Sequence, residues 1–117
     1  MKEIEQIYCN DFGCAFHWKK DEIVLKDKVQ VIFKETGFYL SAKEIKEFTK
    51  IIDVTCKEQE CSDCNMRHRC HKFLLKTPLQ GIDLAVSKDE LLQIKDLMEG
   101  TLFTIRLTSY INNEGRN

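Results

Sequence analysis

The apolar positions of the chain fall into two stretches with one rhythm, VQVIFKETGFYLSAKEIKEFTKII and LLKTPLQGIDLAVSKDELLQIKDLM. A shift of 46 positions lays Ser41 on Ser87, Glu44 on Glu90, Phe38 on Leu84, Leu40 on Val86, Ile45 on Leu91, Phe48 on Ile94, Ile51 on Leu97 and Ile52 on Met98. In each stretch the apolar residues first alternate, as in a half-buried strand, and then recur at intervals of three and four, as on one face of a helix. Gly37 and Gly81 are assigned to the tight turns between the strands. Ser41-x-x-Glu44 and Ser87-x-x-Glu90 mark the helix starts: the serine oxygen accepts an N–H of the first turn and the glutamate reaches back to the serine N–H. The pattern predicts an internal β-β-α repeat with copies at about 29–53 and 72–99, and Gly100 as the left-handed residue that ends the second helix.

Alternation outside these copies predicts further strands. IEQIYCNDFGCAFHW reads as a hairpin turning at Asn10-Asp11-Phe12-Gly13. Cys14, Phe16 and Trp18 then share one face and Ala15 and His17 the other, with Trp18 assigned to the core. EIVLKDKVQVIF reads as a second hairpin turning at Asp27 and Lys28, and TLFTIRL as a last strand with Phe103, Ile105 and Leu107 on one side. The expected fold class is α+β, an antiparallel sheet with two helices on one face. A chain of 117 residues supports one core, so 1–110 is expected to form a single domain and 111–117 a polar tail. Duplicated units of this kind serve to build one continuous core, or else frame a groove that takes a ligand or peptide.

Composition narrows the function classes. Apolar residues make up 43% and charged residues 32%, which is the balance of a folded globular protein. The formal net charge of -1 provides no general attraction for nucleic acid or an anionic membrane, so nucleic acid is not the expected partner. The opening MKEIEQIYCN carries charges where a secretory signal would be apolar, and no stretch approaches the roughly eighteen apolar residues of a membrane span. A cytoplasmic location is the expectation, and in that reducing setting six cysteines point to metal, redox chemistry or burial rather than to structural disulfides.

Four of the six lie in CKEQECSDCNMRHRC, from Cys56 to Cys70, an insertion between the two copies spanning 56–71. Its Lys57, Glu58, Gln59, Glu60, Ser62, Asp63 and Asn65 leave almost no apolar surface, so hydrophobic burial alone would not order it. A zinc ion held by Cys56, Cys61, Cys64 and Cys70 would crosslink the segment at tetrahedral geometry. A second ligand set, Cys61, Cys64, His68 and His71, falls near one face if the segment is helical. The spacing C-x4-C-x2-C also fits an iron–sulfur cluster, and its C-x2-C-x5-C part resembles the cysteine segments that hold auxiliary clusters in some radical-SAM maturation enzymes. A redox dithiol at Cys61 and Cys64, beside Arg67 and Arg69, is a third alternative, and a reduced thiol-rich loop a fourth. Arg67, Arg69, Lys72 and Lys76 form a weak anion-binding patch, more simply read as a solvated basic edge. Cys9 and Cys14 flank the first hairpin turn as metal ligands, a reversible disulfide or two small core residues, the last being the commonest outcome.

No catalytic constellation is present in the sequence: there is no Gly-rich phosphate loop, no Gly-x-Ser-x-Gly and no His-Glu-x-x-His. IYCNDFG, QVIFKETGFYLSAKEIKEF and LLKTPLQGIDLAVSKDEL together resemble a family of small bacterial proteins of uncharacterised function, whose members carry Phe-Gly-Asn where this chain has Phe33-Lys34-Glu35. That resemblance implies a single domain and supplies no activity. The expectation is a small non-enzymatic binding or regulatory protein with a structural zinc site, acting on a protein partner or as a homodimer.

Overall fold

A computed structural model describes residues 3–60 and 72–114. The fold is α+β, with antiparallel strands and two helices: β1 (Glu3–Cys9), β2 (Gly13–Lys20), β3 (Ile23–Val24), β4 (Val29–Phe33), β5 (Thr36–Leu40), α1 (Ala42–Glu60), β6 (Phe73–Lys76), β7 (Asp83–Val86) and α2 (Lys88–Glu114). The strands form two sheets rather than one. Five belong to a sheet ordered β1-β2-β4-β5 with β3 paired to β2, and β6 pairs with β7 in a separate two-stranded ribbon.

Both helix starts form as the Ser-x-x-Glu pattern requires. Ser41 N–H donates to Glu44 Oε1 at 2.9 Å and Glu44 N–H to Ser41 Oγ at 3.1 Å. The equivalent bonds at Ser87 and Glu90 are 2.8 and 3.2 Å. The apolar positions after each box point into one core, where Ile45, Phe48 and Ile52 of α1 meet Leu91, Ile94, Leu97 and Met98 of α2, all of them buried. The first sheet supplies Ala15, Val29, Val31, Phe33, Phe38 and Leu40, and the ribbon supplies Leu75 and Val86.

Five further expectations from the sequence fail. The predicted hairpin turning at Asp27 and Lys28 does not form: β3 folds back on β2 through Asp21 and Glu22, pairing Lys19 with Val24, while β4 pairs with β2 and β5. The β4–β5 turn consists of Lys34 and Glu35, and Gly37, expected at the turn, lies inside β5 opposite Ile32. Both two-residue turns hold their central residues at positive φ, 53° and 68° at Asp21 and Glu22, 49° and 61° at Lys34 and Glu35. This backbone matches the right-handed twist of the flanking strands and normally selects Asn, Asp or Gly, so Asp21 is a weak turn signal and Glu22, Lys34 and Glu35 give none.

Trp18 is not in the helix-facing core. The pairing of Ala15 with Val31 and Gly13 with Phe33 puts those residues on the helix side, and the faces alternate. Trp18 and Phe16 therefore lie on the other face of the sheet. There Trp18 packs edge-on against Phe16, with centroids 5.0 Å apart, and donates its indole N–H to Gln30 Oε1 at 3.2 Å. The apolar set of β4 and β5 outweighs one tryptophan in choosing the face.

The largest departure is at the chain's end. TLFTIRL is helical, and α2 continues through Gly100 to Glu114. At 100° per residue, Ile105 falls on the core side and Phe103 and Leu107 on the opposite side. Ile105 accordingly packs against the core, while Phe103 and Leu107 are exposed. Two apolar faces on one helix thus produce the alternation that mimics a strand. Gly100 serves packing instead of termination: the ring of Tyr8 lies against its bare Cα, and a Cβ there would come within 2.5 Å of Tyr8 Cζ. A bulge in β1 between Gln6 and Tyr8 brings that ring to the helix side, with Tyr8 opposite Ala15.

Candidate functional site

The second half of α2 extends past the core it helps to build. A helix of 27 residues is about 40 Å long, and only its first half, Leu91 to Thr101, carries the fully buried positions. Beyond Thr101 its inner side overhangs the polar end of the first sheet.

A groove of about 370 Å³ runs beneath this overhang, lined by Glu5 and Ile7 of β1, His17 of β2, Lys26, and Thr104 and Thr108 of α2. Glu5 and His17 are directly paired across the strands. The His17 ring is oriented by its Nδ1, 3.1 Å from the Lys28 carbonyl oxygen. A carbonyl can only accept, so Nδ1 carries the proton and Nε2 of the neutral ring is an acceptor. Thr104 directs its hydroxyl to the Gly100 carbonyl at 2.8 Å, inside the helix. The groove therefore combines one carboxylate, one imidazole, one ammonium and helix hydroxyls, a lining suited to holding a small polar group.

The outer side of the same half-helix is apolar. Phe103 is 65% exposed, Leu107 45%, Tyr110 63% and Ile111 57%. Steps of four, seven and eight place these four within a stripe about 100° wide, on the side away from the core. From Thr101 to Ile111 the only charged residue is Arg106. At one end of the stripe, Leu102, Phe103 and Arg106 line a depression of about 260 Å³ together with Thr49, Asp53 and Glu99.

Two polar networks lock α2 onto the rest of the molecule. At the first hairpin, Asn10 Oδ1 accepts the N–H groups of Phe12 and Gly13, each at 2.9 Å, while its Nδ2 donates to Gln93 O at 3.1 Å and Asp96 Oδ2 at 2.9 Å. Tyr8 also donates to Asp96 Oδ2 at 2.9 Å, and this bond to a carboxylate raises the phenol's pKa above its ordinary value. Cys9 and Cys14, directly opposed across the strands with Cα atoms 4.1 Å apart, form a disulfide. The expectation of two small core residues is thus corrected in favour of the bridge, because the short turn leaves the pair no room to diverge. At the second network, Glu90 holds Lys34 at 2.9 Å and Lys72 at 3.3 Å. The Ser87 backbone N–H, then Lys34 and Lys72, draw the Glu90 carboxyl from 4.5 down to about 2, against the opposing effect of burial.

The sequence-derived site residues are only partly within this framework. Cys56 lies in α1, half-buried against the core. Cys61, Cys64, Cys70, His68, His71, Arg67 and Arg69 are outside the described residues. Lys72 and Lys76, the other members of the suggested anion patch, each face a carboxylate, Glu90 at 3.3 Å and Asp83 at 3.6 Å. Among the described residues no three His, Cys, Asp or Glu side chains group as a metal site, and no helix is long and apolar enough to cross a membrane. The stripe on α2 escaped sequence reasoning because its residues were divided between a strand and a tail. Tested as a helix, their spacing would have revealed it.

No protein-family model, curated protein or solved structure matches this chain.

Proposed function

We propose that the protein is a small, non-enzymatic binding and regulatory module that meets a protein partner through the outer face of α2. The observation carrying this reading is the exposed row Phe103, Leu107, Tyr110 and Ile111 on the outer side of a half-helix that meets the core through Thr101, Leu102 and Ile105 on its other side. An amphipathic face of this spacing is the form in which helices dock on other proteins, and scattered surface hydrophobics do not line up in this way. The strand–strand–helix units β4–β5–α1 and β6–β7–α2 are read as copies of one plan with both helices on one side, and the location as cytoplasmic, where the Cys9–Cys14 bridge would be a reversible one. The cysteine-rich segment is read as a structural zinc site, on its density of thiols and lack of apolar residues; a redox dithiol or an iron–sulfur cluster at Cys61 and Cys64 is the rival reading.

Two measurements test the proposal. Wild-type protein and Leu107→Glu, with matching circular dichroism, are used to capture proteins from lysate of the source cells. A protein held by the wild type and lost from the variant is the expected result, whereas a partner held equally by both refutes α2 as its docking face. Elemental analysis of protein purified without added metal should find stoichiometric zinc and no visible absorbance. Iron with brown colour would replace zinc by a cluster.

A further inference from the structure

The stripe on α2 has a symmetry of its own. Phe103, Leu107 and Ile111 are spaced four and four, so a large apolar side chain lies one turn from Leu107 in each direction. Antiparallel packing of two such helices about a two-fold axis through Leu107 sets Leu107 on Leu107 and Phe103 against Ile111 of the second copy. A two-fold contact must be self-complementary in just this sense. Parallel packing would bring the two bodies to the same end of the helix pair, whereas antiparallel packing carries them to opposite ends.

Charge and area favour the same occupant. The stripe contains no charged residue, and the chain's net charge is -1, so nothing on this face selects a partner of opposite sign and nothing in it repels a copy of itself. The depression lined by Leu102, Phe103 and Arg106 adjoins one end of the stripe, where Ile111 of a second copy would arrive. The four side chains expose roughly 400 Å² in each copy, so with their polar rim a symmetric pair would bury on the order of 1,200 Å², the lower end of what a specific interface needs.

We infer that the outer face of α2 binds the same face of a second copy of this chain, forming an antiparallel two-fold dimer centred on Leu107. The inference rests on the reading of this face as a protein-docking surface and names its occupant. The expected dimer is one that dissociates on dilution, with Kd on the order of micromolar, since a small interface without charge pairs leaves little surplus over the cost of association.

Sedimentation equilibrium of purified protein from about 1 to 200 μM tests it, with disulfide trapping as the second measurement. The wild type is expected to pass from monomer to dimer over that range, and Leu107→Glu to remain monomeric with unchanged circular dichroism. Mild oxidation of Leu107→Cys is expected to give a dimer linked 107 to 107 by peptide mapping, while the exposed control Leu92→Cys does not crosslink. A monomeric wild type, a Leu107→Glu variant that still dimerises, or equal crosslinking at both positions would overturn the inference. A monomeric wild type whose captured partner is still lost in Leu107→Glu would reject self-pairing and leave the docking face intact; a monomeric wild type whose partner is held equally by the variant would reject both.

Discussion

Replacing Gly100 by alanine sets two well-defined effects against each other. In the interior of an exposed helix the change stabilises by about 1 kcal/mol, because alanine loses less backbone freedom on folding. Here the new Cβ would stand 2.5 and 2.7 Å from Tyr8 Cζ and Cδ2, about 1 Å inside ordinary carbon–carbon contact. The ring has little room to retreat, since its hydroxyl is held by Asp96 and its Cα is fixed in β1 opposite Ala15. Overpacking of this kind costs about 1–3 kcal/mol, and a clash along a whole ring edge belongs near the upper end. The expected net effect of Gly100→Ala is a loss of about 1–2 kcal/mol, or a Tm lower by roughly 4–10 °C for a domain of this size. Thermal unfolding followed by circular dichroism reads it directly. In a Tyr8→Ala background the obstacle is gone, and the same substitution should stabilise by about 1 kcal/mol. A rise in Tm when Gly100→Ala is introduced into the wild type would refute the packing argument.

Acid should destabilise the protein through Glu90. Its carboxyl is held near 2 in the fold against 4.5 ordinarily, so its contribution is complete above about pH 5 and is lost as pH falls towards 2; after solvent screening this amounts to about 1–2 kcal/mol. Urea unfolding at pH 7 and pH 3 should show a smaller acid loss for Glu90→Gln than for the wild type, and equal losses would exclude the group. Glu22→Gly should stabilise by about 0.5–1 kcal/mol, since glycine occupies the positive φ of this exposed turn without strain, and a lower Tm would contradict that account.

Much of the framework was legible in the residues themselves. The two capping boxes and the three-and-four spacing after each located both helix starts and the buried faces, because those signals depend on bonds and contacts within a few residues. The first hairpin was legible too, since Asn10 satisfies the turn's own N–H groups. The turns at Asp21-Glu22 and Lys34-Glu35 were hidden, as the chain places there residues with no preference for left-handed backbone, and strand pairing across the sheet imposes the conformation. Of the candidate site, the cysteine spacing was visible at once, whereas the stripe on α2 was masked by the alternation of Phe103, Ile105 and Leu107.

The sequence by itself determined that the chain folds into an α+β protein with two capped amphipathic helices and a thiol-rich connection. Only the tertiary structure decided which face of the first sheet is buried, what Gly100 is for, and how far α2 runs. The physical reason is range. Capping and periodicity are settled between neighbours along the chain, but a helix stops or continues at a glycine according to what packs on it, and here that is the ring of Tyr8 from the opposite end of the molecule's sequence.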